Sequence, residues 1–71
     1  MLSKEIIKFI RLRDDLSRGE FAQKVGISRP LVSAIELGER RITSQTKNKI
    51  YRAFGLDDQK IIEIDRFIKR L

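Results

Sequence analysis

The side chains able to do chemistry in this 71-residue chain are of few kinds. There is no Cys and no His, which removes thiol and imidazole nucleophiles, disulfides and the usual zinc ligands. The adjacent carboxylates, Asp14 with Asp15 and Asp57 with Asp58, stand beside Leu or Ser at the starts of expected helices. Negative charge there favours the helix dipole, so they read as helix entry and not as a catalytic dyad. No general base, metal cluster or phosphate-cradling Gly loop accompanies them, so neither catalysis nor a cofactor nor a metal is expected. What remains is charge: 16 Lys and Arg against 10 Asp and Glu give a net +6. That balance makes a polyanionic partner the leading expectation, nucleic acid or an acidic protein surface.

Positioning those charges falls to a chain whose length allows one domain, residues 1–71, with a single small core. The N-terminal MLSKEIIKFIRLR is too short and too charged for a signal or spanning segment, so a soluble cytoplasmic protein with no membrane association is expected. One Pro, four Gly and no alternating β-branched run leave helix as the consistent period, and the fold class expected is all-α, a compact bundle of five short helices.

The first helix starts after Ser3 and runs to about Arg13, with Ile6, Ile7, Ile10 and Leu12 inward and Phe9 as a second apolar edge. Ser17 and Glu20 form a capping box, with Leu16 and Phe21 as its hydrophobic staple. They open a helix from about Arg18 to Val25, which Gly26 ends. Ser28 caps the third helix, about Arg29 to Leu37, with Ile27 and Val32 as staple, Pro30 in the first turn and Gly38 at the stop. Ser44 is expected to cap a fourth helix carrying Ile50, Ala53 and Phe54, ended by Gly55. Asp57 caps a fifth, at about residues 58–70, with Leu56 and Ile61 as staple. Ile61, Ile64, Ile68 and Leu71 recur at spacings of three and four along it, and Ile62 and Phe67 widen the stripe.

Two short helices joined by a Gly-containing turn of about three residues, the second polar and basic at its start, form a helix-turn-helix at about residues 17–38. Ala22 lies at the crossing, Gly26 in the turn, and Phe21, Val25, Ile27, Val32 and Ile35 fill the apolar positions. The stretch IRLRDDLSRGEFAQKVGISRPLVSAIELGERR resembles the helix-turn-helix family of phage repressors, Cro proteins and xenobiotic-response-element (XRE) regulators, including small restriction-modification controller proteins. The resemblance covers about Ile7 to Leu56. It implies a lambda-repressor-like bundle, homodimerisation and binding to double-stranded operator DNA.

The resemblance also implies residue roles. Arg11 and Glu36 match an ion pair that fastens the first helix to the third. Ser17 and Arg18 match positions that meet a phosphate, with Arg18 replacing the usual Gln. Arg40 and Arg41 match a basic loop that follows the DNA backbone; Lys47 and Lys49 are weaker candidates. The exposed base readers fall at Ser28, Arg29, Pro30, Ser33 and Ala34, of which Arg29 can contact guanine in bidentate fashion, while Pro30 and Ala34 offer apolar contact to a thymine methyl. Asp15 replaces the Gly usual before the second helix, in a left-handed conformation that Asp tolerates.

Two functions therefore stay open. One is a dimeric DNA-binding repressor or controller. The other is a protein-binding module of the same fold, a phage antirepressor or an antitoxin, whose third helix grips a partner repressor or toxin. Pro30, Leu31, Ala34 and Leu37 are not all needed for a core already served by Val32 and Ile35, and clustered exposed apolar residues favour a protein surface. Leu37 is the candidate partner contact, and Ile64, Phe67, Ile68 and Leu71 are the candidate dimer interface.

Overall fold

The computed structural model describes residues 1–71 as five helices and no strand. They are α1 (Lys4–Arg13), α2 (Arg18–Val25), α3 (Arg29–Glu36), α4 (Ser44–Phe54) and α5 (Asp58–Lys69). Each begins on a residue whose side-chain oxygen accepts from the third helical N–H: Ser3, Ser17, Ser28, Thr43 and Asp57. These caps satisfy donors that the helices cannot satisfy themselves. The fourth cap corrects the sequence expectation. Thr43 holds the position, not Ser44, which is the first helical residue. Thr43 Oγ1 accepts from Thr46 N at 3.2 Å and lies 3.1 Å from the Thr46 hydroxyl, and Thr46 is buried.

α3 ends through two bonds of a Schellman turn, from Gly38 N to Ile35 O at 3.0 Å and from Glu39 N to Ala34 O at 2.8 Å. Gly38 has a positive φ of 78°, and a Cβ there would come within 2.9 Å of the Lys4 Nζ. The left-handed conformation is what favours glycine here, because the Lys4 ammonium ends a flexible side chain that can move aside. Asp15 is the only non-glycine residue with positive φ, at 55°, as tolerated by a short polar side chain.

The core is built by one stripe from each helix: Ile6, Ile7 and Ile10 of α1, Phe21, Ala22 and Val25 of α2, Val32 and Ile35 of α3, Ile50 of α4 and Ile61 of α5. α2 packs most extensively on α3 and also on α4, while α1 bridges α3 and α5. Phe21 stacks on Phe54 with ring centroids 5.4 Å apart. Leu12 does not join this face and is 58% exposed. It lies two residues beyond Ile10, roughly 200° around the helix, so the expectation of an inward Leu12 is corrected. Leu31, by contrast, is half-buried and packs against the core.

On α5, Ile64 and Ile68 are half-buried against the core. This narrows the expected apolar surface, because the intramolecular packing covers part of both residues. Phe67, 54% exposed, and Leu71, 83% exposed, remain outside. Phe67 meets Phe9 of α1 at a centroid distance of 5.6 Å. With Ile64, Arg13 and Glu63, these rings line a shallow concavity of about 300 Å³.

Candidate nucleic-acid interface

The orientation of α3 is fixed at both ends of the α2–α3 pair. At the turn, Gly26 takes a left-handed φ of 86°, and Gly26 N and Ile27 N both donate to Ala22 O. At the far end of α3, Glu36 is gripped from two other elements. Arg11 Nε donates to Glu36 Oε2 at 2.7 Å and Arg11 Nη2 to Oε1 at 2.9 Å, a fork that fixes direction as well as distance. Arg11 Nη1 donates to the Leu16 carbonyl at 3.0 Å, so the same guanidinium also holds the α1–α2 connection.

Arg18 Nε donates to Glu36 Oε1 at 3.4 Å. The side chain of Glu36 is only 1% exposed. Burial pushes its carboxyl up, but the hydrogen bonds and charge of Arg11, with those of Arg18, outweigh burial and hold it below the usual carboxylate range. The Arg11 guanidinium is correspondingly raised, chiefly by its hydrogen bond to Glu36. The structure therefore brings Arg11 and Glu36 together and adds Arg18, which the sequence assigned to a phosphate alone. Arg18 keeps 36% of its side chain exposed.

At the start of α2, the Ser17 hydroxyl accepts from Glu20 N at 3.0 Å, and Ser17 N donates to the Glu20 carboxylate at 2.8 Å. These backbone and side-chain hydrogen bonds from Ser17 hold the Glu20 carboxyl low. The N–H groups of Arg18 and Gly19, the first two helical residues, are left without intrahelical acceptors. The Arg29 stem runs across this turn, its Cδ within 3.7 Å of where a Cβ of Gly19 would stand. Arg29 thereby places the start of α3 and the start of α2 on one surface.

Along α3, Ser28, Arg29 and Pro30 are exposed, Ser33 and Ala34 are half-buried, and Leu37 is 61% exposed. Ser28 spends its hydroxyl oxygen on Leu31 N at 3.2 Å. Ser28, Pro30, Leu31 and Ala34 line a concavity of about 520 Å³ completed by Glu39 and Arg40 of the following loop. Arg40 also borders a second recess, of about 180 Å³, with Arg41, Ile42 and Lys4. Arg29, Arg40 and Arg41 take part in no ion pair.

Lys4 is the residue that sequence reasoning missed. Only the fold carries the first turn of α1 to the end of α3, and no local pattern signals it. Lys47 is partly engaged elsewhere, its Nζ 5.4 Å from the Tyr51 ring centroid, and Lys49 lies apart, lining a recess with Lys24 and Arg52.

Two short helices held at a fixed angle by a glycine turn, with the second helix exposing its polar start beside a basic loop, define a helix-turn-helix protein. The helix-turn-helix family model matches residues 7–61. The chain belongs to that family, the XRE and Cro type of DNA-binding regulators. No curated protein and no solved structure matches it. None of its helices is long and apolar enough to cross a membrane.

Proposed function

We propose that the 71 residues act as one domain, a sequence-specific DNA-binding transcriptional regulator that works in the cytoplasm as a dimeric repressor or controller. It acts by binding and not by catalysis, seating α3 in the major groove of operator DNA. One observation carries this reading: Arg29, Arg40 and Arg41 are exposed and in no ion pair, Arg29 opening α3 and the other two following it, with Arg40 lining the concavity on α3. Ser17, Arg18, Arg40 and Arg41 then meet phosphates, while Ser28, Arg29, Pro30, Ser33 and Ala34 face base edges. A two-fold dimer spans half-sites roughly 34 Å apart. If two protomers bring some six to eight cations to phosphates, log K falls against log salt with a slope of about −5 to −7. Retardation of the gene's own upstream DNA, measured across a salt series, tests this; a flat response or no retardation overturns it.

A second reading rests on Leu37, which exposes 61% of its surface at the end of α3, about two turns on from the exposed Pro30. Clustered apolar groups there suit a partner protein, a repressor or a toxin that α3 would occlude. The two readings separate on two variants. Arg29→Ala abolishes specific retardation under the first, whereas Leu37→Glu disrupts a protein complex, with Arg29→Ala harmless, under the second.

A further inference from the structure

Three cations converge on a recess that α3 and its loop do not reach. Lys24 in the last turn of α2, with Lys49 and Arg52 of α4, lines a concavity of about 390 Å³ whose other walls are Val25, Gly26 and Ala53. No carboxylate lines it, whereas Glu39 stands in the concavity on α3, with which it shares no residue. Lys49 and Arg52 are three positions apart and so project from one face of α4, the helix against which α2 packs.

None of the three takes part in an ion pair. Lys24 is held by a ring instead, its Nζ 4.8 Å from the Phe54 centroid, a contact that orients a cation without neutralising it. The Asp14 carboxyl is held low chiefly by its hydrogen bond to Arg13 and only last by the charge of Lys24. Arg13 engages both of its oxygens, at 2.9 and 3.4 Å. The C-terminal ends of α2 and α4 supply the remaining negative charge, about half an elementary charge each. Together they offset roughly one of the three cations, so that about two positive charges are left to repel each other.

We infer that this recess is a binding site for a small polyanion with two or more linked phosphate groups, an oligophosphate that ties α2 to α4. Its concave walls come from two helices, and its volume lies within the range of roughly 300–1,000 Å³ usual for small-ligand sites, which favours a compact ligand over the backbone of a duplex. No aromatic side chain lines it, so nothing there stacks on a nucleobase and the phosphates carry the recognition. The phosphate chain can be free or borne by a nucleotide. The inference stands independently of the DNA-binding reading above.

The probe is sodium tripolyphosphate, titrated into the full chain at constant ionic strength and followed by calorimetry and by backbone amide shifts. The shifts should concentrate at residues 24–26 and 49–53 and spare residues 28–41. Two double variants then remove equal charge from different places. Lys49→Gln/Arg52→Gln should weaken binding about tenfold or more, through the loss of two charged contacts. Arg40→Gln/Arg41→Gln should leave the dissociation constant within about twofold, since screening isolates separate surface charges.

Equal weakening in both variants would mean attraction of any anion to a basic chain, and overturns the inference. So does the absence of heat and shifts at millimolar probe. ATP and adenosine separate the two sources of the phosphates. Equal affinity for ATP and tripolyphosphate, with adenosine silent, shows that the phosphate chain alone is recognised, whereas tighter binding of ATP makes a nucleotide the ligand. Duplex DNA that shifts residues 24–26 and 49–53 while tripolyphosphate does not would assign these cations to a nucleic-acid backbone and overturn the site.

Discussion

Glu36 contributes most where its charge is least hydrated. Its carboxylate is almost fully covered, yet three hydrogen bonds from Arg11 and Arg18 reach it. Burying a carboxylate is unfavourable alone and tolerable only while both oxygens are matched. The folded-state pKa is lowered, so the stabilisation is fully present above the unfolded value of about 4.3 and is lost as pH falls through the lower folded value. Glu36→Gln leaves Arg11 facing a neutral group and costs about 3 kcal/mol, a fall in Tm of roughly 15 °C for a domain of this size. Thermal unfolding followed by circular dichroism measures it. The same scans between pH 5 and 3 should show a flatter acid limb in the variant, and a Tm within a few degrees of the parent would refute the role. The pair was legible in the sequence because Arg11 and Glu36 stand at matching positions of a recognisable motif. The third partner was not, since Arg18 reaches Glu36 only through the crossing of α2 over the end of α3.

Element boundaries show where local chemistry decides and where tertiary packing does. The starts of α2, α3 and α5 were readable because an apolar staple spans the cap in each, and at α5 the Leu56–Ile61 staple singles out Asp57 over the adjacent Asp58. The start of α4 offered two cap residues in a row, Thr43 and Ser44. Thr43 takes the position, and its Oγ1 also meets the hydroxyl of Thr46, whose burial no local rule announces. Thr43→Ala should therefore cost about 1 kcal/mol, while Ser44→Ala stays within about 0.5 kcal/mol of the parent. Urea denaturation of the two variants checks the order, and the reverse ranking would return the cap to Ser44. Leu12 failed for the opposite reason. Its neighbours Ile6, Ile7 and Ile10 already define the inward side of α1, and counting apolar residues without their angular position placed it with them.

At the scale of the molecule, the basic face of α3 and the exposed apolar residues of the C-terminal end belong to different elements. Arg29, Arg40 and Arg41 stand at α3 and the loop after it, while Phe67 lies on α5 beside Phe9 of α1 and Leu71 just beyond the end of α5. Phe67 and Leu71 form an exposed apolar patch. A second copy would meet it through the same patch, since a two-fold contact is self-complementary. Arg13 and Glu63 line the same shallow concavity as Phe9 and Phe67, and under two-fold symmetry each can face the other's counterpart across the contact. The best probes of this are not the half-buried Ile64 and Ile68, whose loss would also loosen the core. Leu71→Glu removes a side chain that does little for its own fold, being 83% exposed. Sedimentation equilibrium should give a dimer mass for the parent and a monomer mass for the variant, with thermal stability at matched monomer concentration little changed. Operator affinity should fall about a hundredfold, because each half-site then binds alone. A parent that sediments as a monomer at high concentration would remove the dimer, and the half-site spacing with it, while leaving the contacts of α3 to be tested on a single half-site.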